Sequence, residues 1–309
     1  MRFLLCGAAC LLTGVLALGA CGSDDPTTSG GGNADGGQTS SGNPSSSGTT
    51  PTPNTSVVNT TTESVTVNGA ARVYLLSVPK NLDPAKTYPL VMELHGSPGD
   101  AKGQAGGLPF ERASGSDAII VYPQALAEDS GFFSWDLSSA AANNADIALL
   151  EAMPAAVKAK GYNIDESKVF GYGYSGGGFF LQVYQCLGAK VFRSIVATAG
   201  GAPESLKSSQ GGPLPDSGGC VQCPGTPIPE IIVFGQNDAA QGGDYQAMCQ
   251  AEASGCTANS LTATTPTPCQ AYQGCRDGQP VTYCNVPGLG HEEWSESIPT
   301  AWAFFKTFL

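Results

Sequence analysis

The stretch Lys168-Val169-Phe170-Gly171-Tyr172-Gly173-Tyr174-Ser175-Gly176-Gly177-Gly178-Phe179-Phe180-Leu181 decides the fold. Its first half, Lys168–Tyr174, is an apolar run containing β-branched and aromatic residues, which predicts a buried strand. From Phe179 to Leu187 the apolar residues take helical spacing. Between strand and helix sits Gly173-Tyr174-Ser175-Gly176-Gly177, a G-x-S-x-G pattern. A serine on so tight a strand-to-helix turn has a strained backbone and an exposed hydroxyl, and small residues must flank it to avoid clashes. In a chain with 41 glycines the pattern alone is a weak signal. The strand before it and the helix after it give it weight. Ser175 is therefore the candidate nucleophile, and the amide of Gly176 points to where an oxyanion would form.

Outward from this stretch, strands and helices alternate. Glu63–Val67 and Ala71–Val78 form an opening pair around the turn signal Asn68-Gly69. Tyr88–Leu94, Ala118–Tyr122, Phe192–Ala199, Glu230–Phe234 and Val281–Val286 read as further strands, and Asn143–Lys160 and Ile298–Leu309 as helices. Pro154 inside the first of these helices predicts a kink or an early end. Such alternation predicts one α/β domain over residues 61–309, with a mostly parallel central sheet covered by helices on both faces.

A serine hydroxyl becomes a nucleophile only when a base takes its proton, and the base needs an orienting carboxylate. His291, in Gly288-Leu-Gly-His-Glu-Glu293, is the only histidine after Ser175 and follows a strand. Asp238 closes the strand Ile231–Phe234 through Gly235-Gln-Asn-Asp238 and is the candidate acid, with Asp244 as runner-up. The order Ser, Asp, His is that of α/β-hydrolases. Glu292 and Glu293 are too close to His291 in sequence to orient its ring well. A second oxyanion donor is expected from Leu94-His95-Gly96-Ser97-Pro98, where Pro98 has no N–H and the amide of Ser97 is the candidate. His95 is expected to shape this loop rather than act as a base, and is grouped with Trp135 as substrate-facing. Trp135, with Phe132 and Phe133, would form an aromatic wall, or else pack in the core.

The motifs LHG, GYSGG, GQND and GLGHEEW, in this order, resemble the secreted group of feruloyl esterases, acetylxylan esterases and polyhydroxybutyrate depolymerase-like proteins. The resemblance covers about residues 62–309, including Tyr122-Pro123, Ser134-Trp135 and Asp146. It implies an α/β-hydrolase fold and a serine carboxylic-ester hydrolase working through an acyl-enzyme, with Ser175, His291 and Asp238 as its triad and no metal or organic cofactor. It also implies that Cys284, on the approach to His291, is disulfide-bonded. Feruloyl or acetyl esters on plant polysaccharide are the leading substrates and short hydroxyalkanoate esters the alternative. Ser97-Pro98 departs from the Cys or Gly that often follows the family's HG. An inactive surface lipoprotein binding glycan or a partner is the reading from another class.

Residues 1–20 combine Arg2 with an apolar run and small residues, the pattern of an export signal. The ending Leu18-Gly19-Ala20-Cys21 resembles the lipobox of bacterial lipoproteins, which implies lipid on Cys21 and a membrane-anchored, exported protein facing the periplasm or cell surface. Residues 22–60 contain no aromatic residue and no Lys or Arg, and predict a Gly/Ser/Thr/Pro linker with a reach of roughly 30–40 Å. Eight of the 11 cysteines lie between 186 and 284, an even number that suits disulfides in an exported chain but leaves roughly a hundred pairings open. Cys220-Val-Gln-Cys223 has zinc-ligand spacing, yet no second such pair or nearby His supports a metal. A net charge of −12 argues against nucleic acid. The segments 203–229 and 239–280 are long and Cys-rich, and are expected to wall a substrate cleft.

Overall fold

Asn68 and Gly69 both take positive φ, 51° and 80°, the backbone that a two-residue hairpin turn demands. They join β1 (Val58–Val67) to β2 (Ala70–Pro79) in an antiparallel register running from Val67↔Ala70 to Val58↔Pro79. The computed structural model describes residues 57–309, apart from 189, 218 and 241. The export signal, Cys21 and nearly all of the linker fall outside the described residues. Strand β1 begins at Val58, so the last linker residues by composition, 58–60, are already in the sheet.

Eight more strands complete the sheet: β3 (Tyr88–Leu94), β4 (Ile119–Pro123), β5 (Ile164–Tyr174), β6 (Ser194–Thr198), β7 (Glu230–Gly235), β8 (Thr262–Ala263), β9 (Cys269–Ala271) and β10 (Val281–Val286). Their order is β1-β2-β4-β3-β5-β6-β7-β10-β9-β8. The inner run from β4 to β10 is parallel, and antiparallel strands close both edges. Alternation along the strands splits the core into two layers. Leu90, Met92, Ile119 and Val121 meet α3 (Ala145–Ala159) and α4 (Gly176–Cys186). Val91, Ile120, Tyr122 and Phe170 face α6 (Ser297–Phe305) and two short helices, α1 (Ala101–Gly107) and α2 (Glu111–Ser114).

Helix α3 does not end early at Pro154, because it runs through to Ala159. An interior proline costs about 3 kcal/mol. The buried Leu149, Leu150, Met153 and Val157 contribute about 1.5–3 kcal/mol each, so packing outweighs the breaker. A helix the sequence pattern did not suggest, α5 (Gly243–Ala253), lies inside the Cys-rich segment. Its buried positions, Gly243, Gln246, Ala247, Gln250 and Ala251, have helical spacing, but Gly, Gln and Ala carry no apolar signal.

Four disulfides, Cys186–Cys223, Cys220–Cys249, Cys256–Cys275 and Cys269–Cys284, use all eight cysteines of this region. Cys220 and Cys223 thus bond to different partners, and the C-x-x-C offers no pair of thiolates to a metal. Cys284 is bonded, as the resemblance implied. Such bridges mark a protein that matures in an oxidising compartment.

Glu230, at the start of β7, is completely buried. It accepts hydrogen bonds from the side-chain amides of Gln182 and, at 2.8 Å, Gln185. Burial pushes its carboxyl up to about 8, against the pull of these donors. The folded state therefore keeps a proton that the unfolded chain has lost above the ordinary 4.5, and stability falls as pH rises through this window. Glu230→Gln should flatten the decline in denaturation midpoint between pH 5 and 8 that the native chain shows; parallel slopes for both proteins would refute the assignment.

Candidate active site

The parallel strands end on one side of the sheet, and each candidate residue sits where a strand gives way to a loop. Ser175 follows β5 and precedes α4 directly, with φ 48° and ψ −115°. This backbone is costly for a residue with a Cβ, and the surrounding contacts hold it there. Its N–H donates to Thr198 O (2.8 Å), and its carbonyl accepts from Phe179 N–H (2.9 Å). The turn after β7 is fixed by Asn237 N–H on Leu289 O (2.8 Å), which brings Asp238 beside the loop after β10.

Ser175, His291 and Asp238 meet in one hydrogen-bonded line. Ser175 Oγ lies 2.8 Å from His291 Nε2, and His291 Nδ1 lies 2.8 Å from Asp238 Oδ2. Asp238 is almost wholly buried, and its other oxygen accepts from Ala240 N–H at 2.8 Å. An ionised carboxylate can only accept, so Nδ1 carries the proton and Nε2 presents its lone pair to the serine hydroxyl. Asp244 stands apart: it is exposed in the first turn of α5 and faces Tyr283.

The two expected oxyanion donors lie side by side. A Cβ on Gly176 would be 2.9 Å from Ser97 N, too close for any side chain, so glycine is needed there. Among the described residues, neither the Ser97 nor the Gly176 N–H donates to a protein acceptor.

His95 and Trp135 are not where a substrate-facing reading puts them. His95 is buried, with Nδ1 2.7 Å from Gly96 O. Its Nε2 accepts from Ala125 N–H (3.2 Å) and pairs with Gln124 Nε2 (3.1 Å). Both ring nitrogens are occupied, and desolvation lowers the ring's affinity for a proton. Trp135 is buried too; its indole N–H donates to His95 O (2.8 Å) and its ring stacks on Phe180. The aromatic ring is consumed by packing, which leaves only Phe132 of the supposed wall well exposed. These residues brace the Ser97 loop from below.

A cavity of about 650 Å³ adjoins the site through Phe179, bonded to the Ser175 carbonyl, and Ala240, bonded to Asp238. The 203–229 segment supplies Glu204, Lys207 and Gly219 to its lining, and α5 supplies Tyr245. Both Cys-rich segments thus contribute residues to the wall of this cavity. Sequence reasoning missed Tyr174, whose hydroxyl donates to His291 O at 2.9 Å. Its period-2 partner on β5, Tyr172, was an available clue.

No family model matches the chain. A probable feruloyl esterase C of Aspergillus terreus is 30% identical over 250 residues, which span 75% of this chain and 80% of that protein. One from Aspergillus flavus is 32% identical over 146 residues, 44% of this chain and 50% of the relative. Among solved structures, an acetyl xylan esterase from Aspergillus awamori superposes with a TM-score of 0.59 at 18% identity, over 79% of this chain and 99% of that one. A ferulic acid esterase from Anaeromyces mucronatus gives 0.52 at 18% identity, over 80% and 88%. The sheet order and these superpositions define an α/β-hydrolase fold. The protein is a carboxylic ester hydrolase. By its likeness to the A. terreus protein, the chain belongs to the feruloyl esterase family.

Proposed function

We propose that this chain hydrolyses esters by acyl transfer through Ser175, with His291 as general base and acid and Asp238 as its orienting carboxylate. The observation that carries this reading is the pair of 2.8 Å contacts running from Ser175 through His291 to Asp238. His291 Nε2 takes the hydroxyl proton as Ser175 Oγ bonds to the ester carbonyl carbon. The oxyanion is held by the N–H groups of Gly176 and Ser97. Collapse expels the alcohol, which takes its proton from the imidazolium. A water, deprotonated by the same nitrogen, then attacks the acyl-enzyme and releases the acid.

Feruloyl or acetyl groups carried on plant polysaccharide are the substrates, a reading supported by the relatives' names and by the size of the adjoining cavity. The acyl group lies in that cavity. A fluorophosphonate probe followed by peptide mapping tests the mechanism, with a single adduct expected on Ser175. Methyl ferulate, p-nitrophenyl acetate and a hydroxybutyrate oligomer, assayed in parallel, test the substrate class. Fastest turnover of the oligomer would replace the polysaccharide reading, and folded protein with neither adduct nor turnover would leave a binding lipoprotein.

We also propose that Cys21 carries lipid and tethers the exported domain to a bacterial membrane. Labelled palmitate should be incorporated in cells and lost in Cys21→Ala; equal labelling of both chains would refute the anchor.

A further inference from the structure

Two carboxyl groups that the reaction does not use lie beneath the site. Glu93 on β3 is completely buried. Its Oε1 accepts from Gln104 Nε2 and its Oε2 from Phe110 N–H, each at 2.9 Å. Glu293 accepts at Oε1 from Tyr172 Oη (2.9 Å) and from the same Gln104 nitrogen (3.4 Å). An amide nitrogen has two hydrogens, so Gln104 gives one to each carboxyl. Neither glutamate pairs with a Lys or Arg among the described residues. The groups around them are acidic or phenolic: Glu111 from α2, Tyr122 from β4, Tyr172 and Tyr174 from β5, and Glu292 and Asp238 from the two loops. Burial raises both carboxyls, Glu93 well above the usual range.

The network touches all three elements that build the site. Glu93 lies in the strand leading to His95 and Ser97, Tyr172 three residues before Ser175, and Glu293 two residues after His291. Tyr172 and Tyr174 lie on the same face of β5, the strand that leads directly into Ser175. They hold the histidine loop at two points, the Glu293 carboxyl and the His291 carbonyl. Glu292, between the two, is exposed and has no such partner among the described residues.

We propose that Glu293 is a positioning residue for His291: anchored by Tyr172 and Gln104, it fixes the loop on which the imidazole rides without touching the reacting atoms. The inference rests on His291 being the base. It has a consequence for pH. With no cation nearby, ionising both carboxyls sets like charges against one amide, so the latch weakens as pH rises. The alkaline limb of the kcat profile then reports the Glu93–Glu293 pair and not the imidazole.

The test uses the full chain and p-nitrophenyl acetate. Glu293→Leu removes the acceptor, and kcat should fall by roughly 10²-fold with little change in KM, as for a catalytic group displaced by about 1 Å. Glu293→Gln keeps an acceptor for both donors without the charge; it should restore most of the lost kcat and move the alkaline limb to higher pH. Tyr172→Phe should lower kcat in the same direction, and it stands in for Glu293→Leu if that variant does not fold. Wild-type kcat in the leucine or phenylalanine variant, or an unmoved alkaline limb in Glu293→Gln, would overturn the proposal. Fluorophosphonate labelling separates this failure from one of the mechanism. If native Ser175 does not react, the catalytic assignment is wrong; if it reacts and the Glu293 variants match it in rate, only the positioning role is.

Discussion

Replacing Ser175 by alanine is expected to leave the protein folded and to lower kcat by a factor on the order of 10⁴ to 10⁶. The hydroxyl's one hydrogen-bond partner among the described residues is His291 Nε2, so its loss orphans nothing in the core. Strain at the turn persists, because φ 48° belongs to the backbone and not to the oxygen. The fall should appear in kcat and kcat/KM together, since the bond formed by Oγ exists only along the reaction path. Residual hydrolysis above the uncatalysed rate is expected from the Gly176 and Ser97 amides. Turnover close to native would remove Ser175 from the mechanism, and a lowered melting temperature would assign it a structural part instead.

The second large effect is expected at Asp238→Asn, a change that alters one atom and about 10⁴ in kcat. The structure dictates how the new side chain sits. Ala240 N–H needs an acceptor 2.8 Å away, so the asparagine oxygen turns toward it and the NH₂ toward His291. That NH₂ donates to Nδ1 and forces the tautomer with the proton on Nε2, which can no longer accept from Ser175. A loss of only a few fold would mean that another carboxylate orients the ring, with Glu292 the nearest in sequence.

How much of this was legible in the sequence follows from where the apolar residues lie. Strands such as Tyr88–Leu94 match expectation because parallel strands buried on both faces read as nearly continuous apolar runs, here interrupted only by Glu93. Helix α5 was hidden because Gln246 and Gln250 occupy buried positions, and the amide contact of Gln250 with Gln185 is one that no hydropathy pattern records. Helix α1, Ala101–Gly107, was hidden by its three glycines; Asp100 starts it by accepting from Gly103 N–H. At the site, the G-x-S-x-G turn and the order of strand ends pointed to Ser175, Asp238 and His291, since a strand end fixes position within a few residues. His95 shapes its loop as expected and Trp135 takes the core-packing alternative, while their grouping as substrate-facing fails, because a sequence names a polar or aromatic group without its direction. In the Glu93–Gln104–Glu293 bridge the bond from Gln104 to Glu293 spans 189 residues, and no local spacing could announce it.

The four disulfides all lie beyond residue 185, while β1, at the start of the described chain, is held to the sheet by β2 alone. Force applied through residue 57 would enter at the open end of the β1–β2 hairpin, where Val58 faces Pro79, so this ladder takes the load before the rest of the sheet. The half of the domain around Asp238 would resist extension longer, because four disulfides shorten its contour.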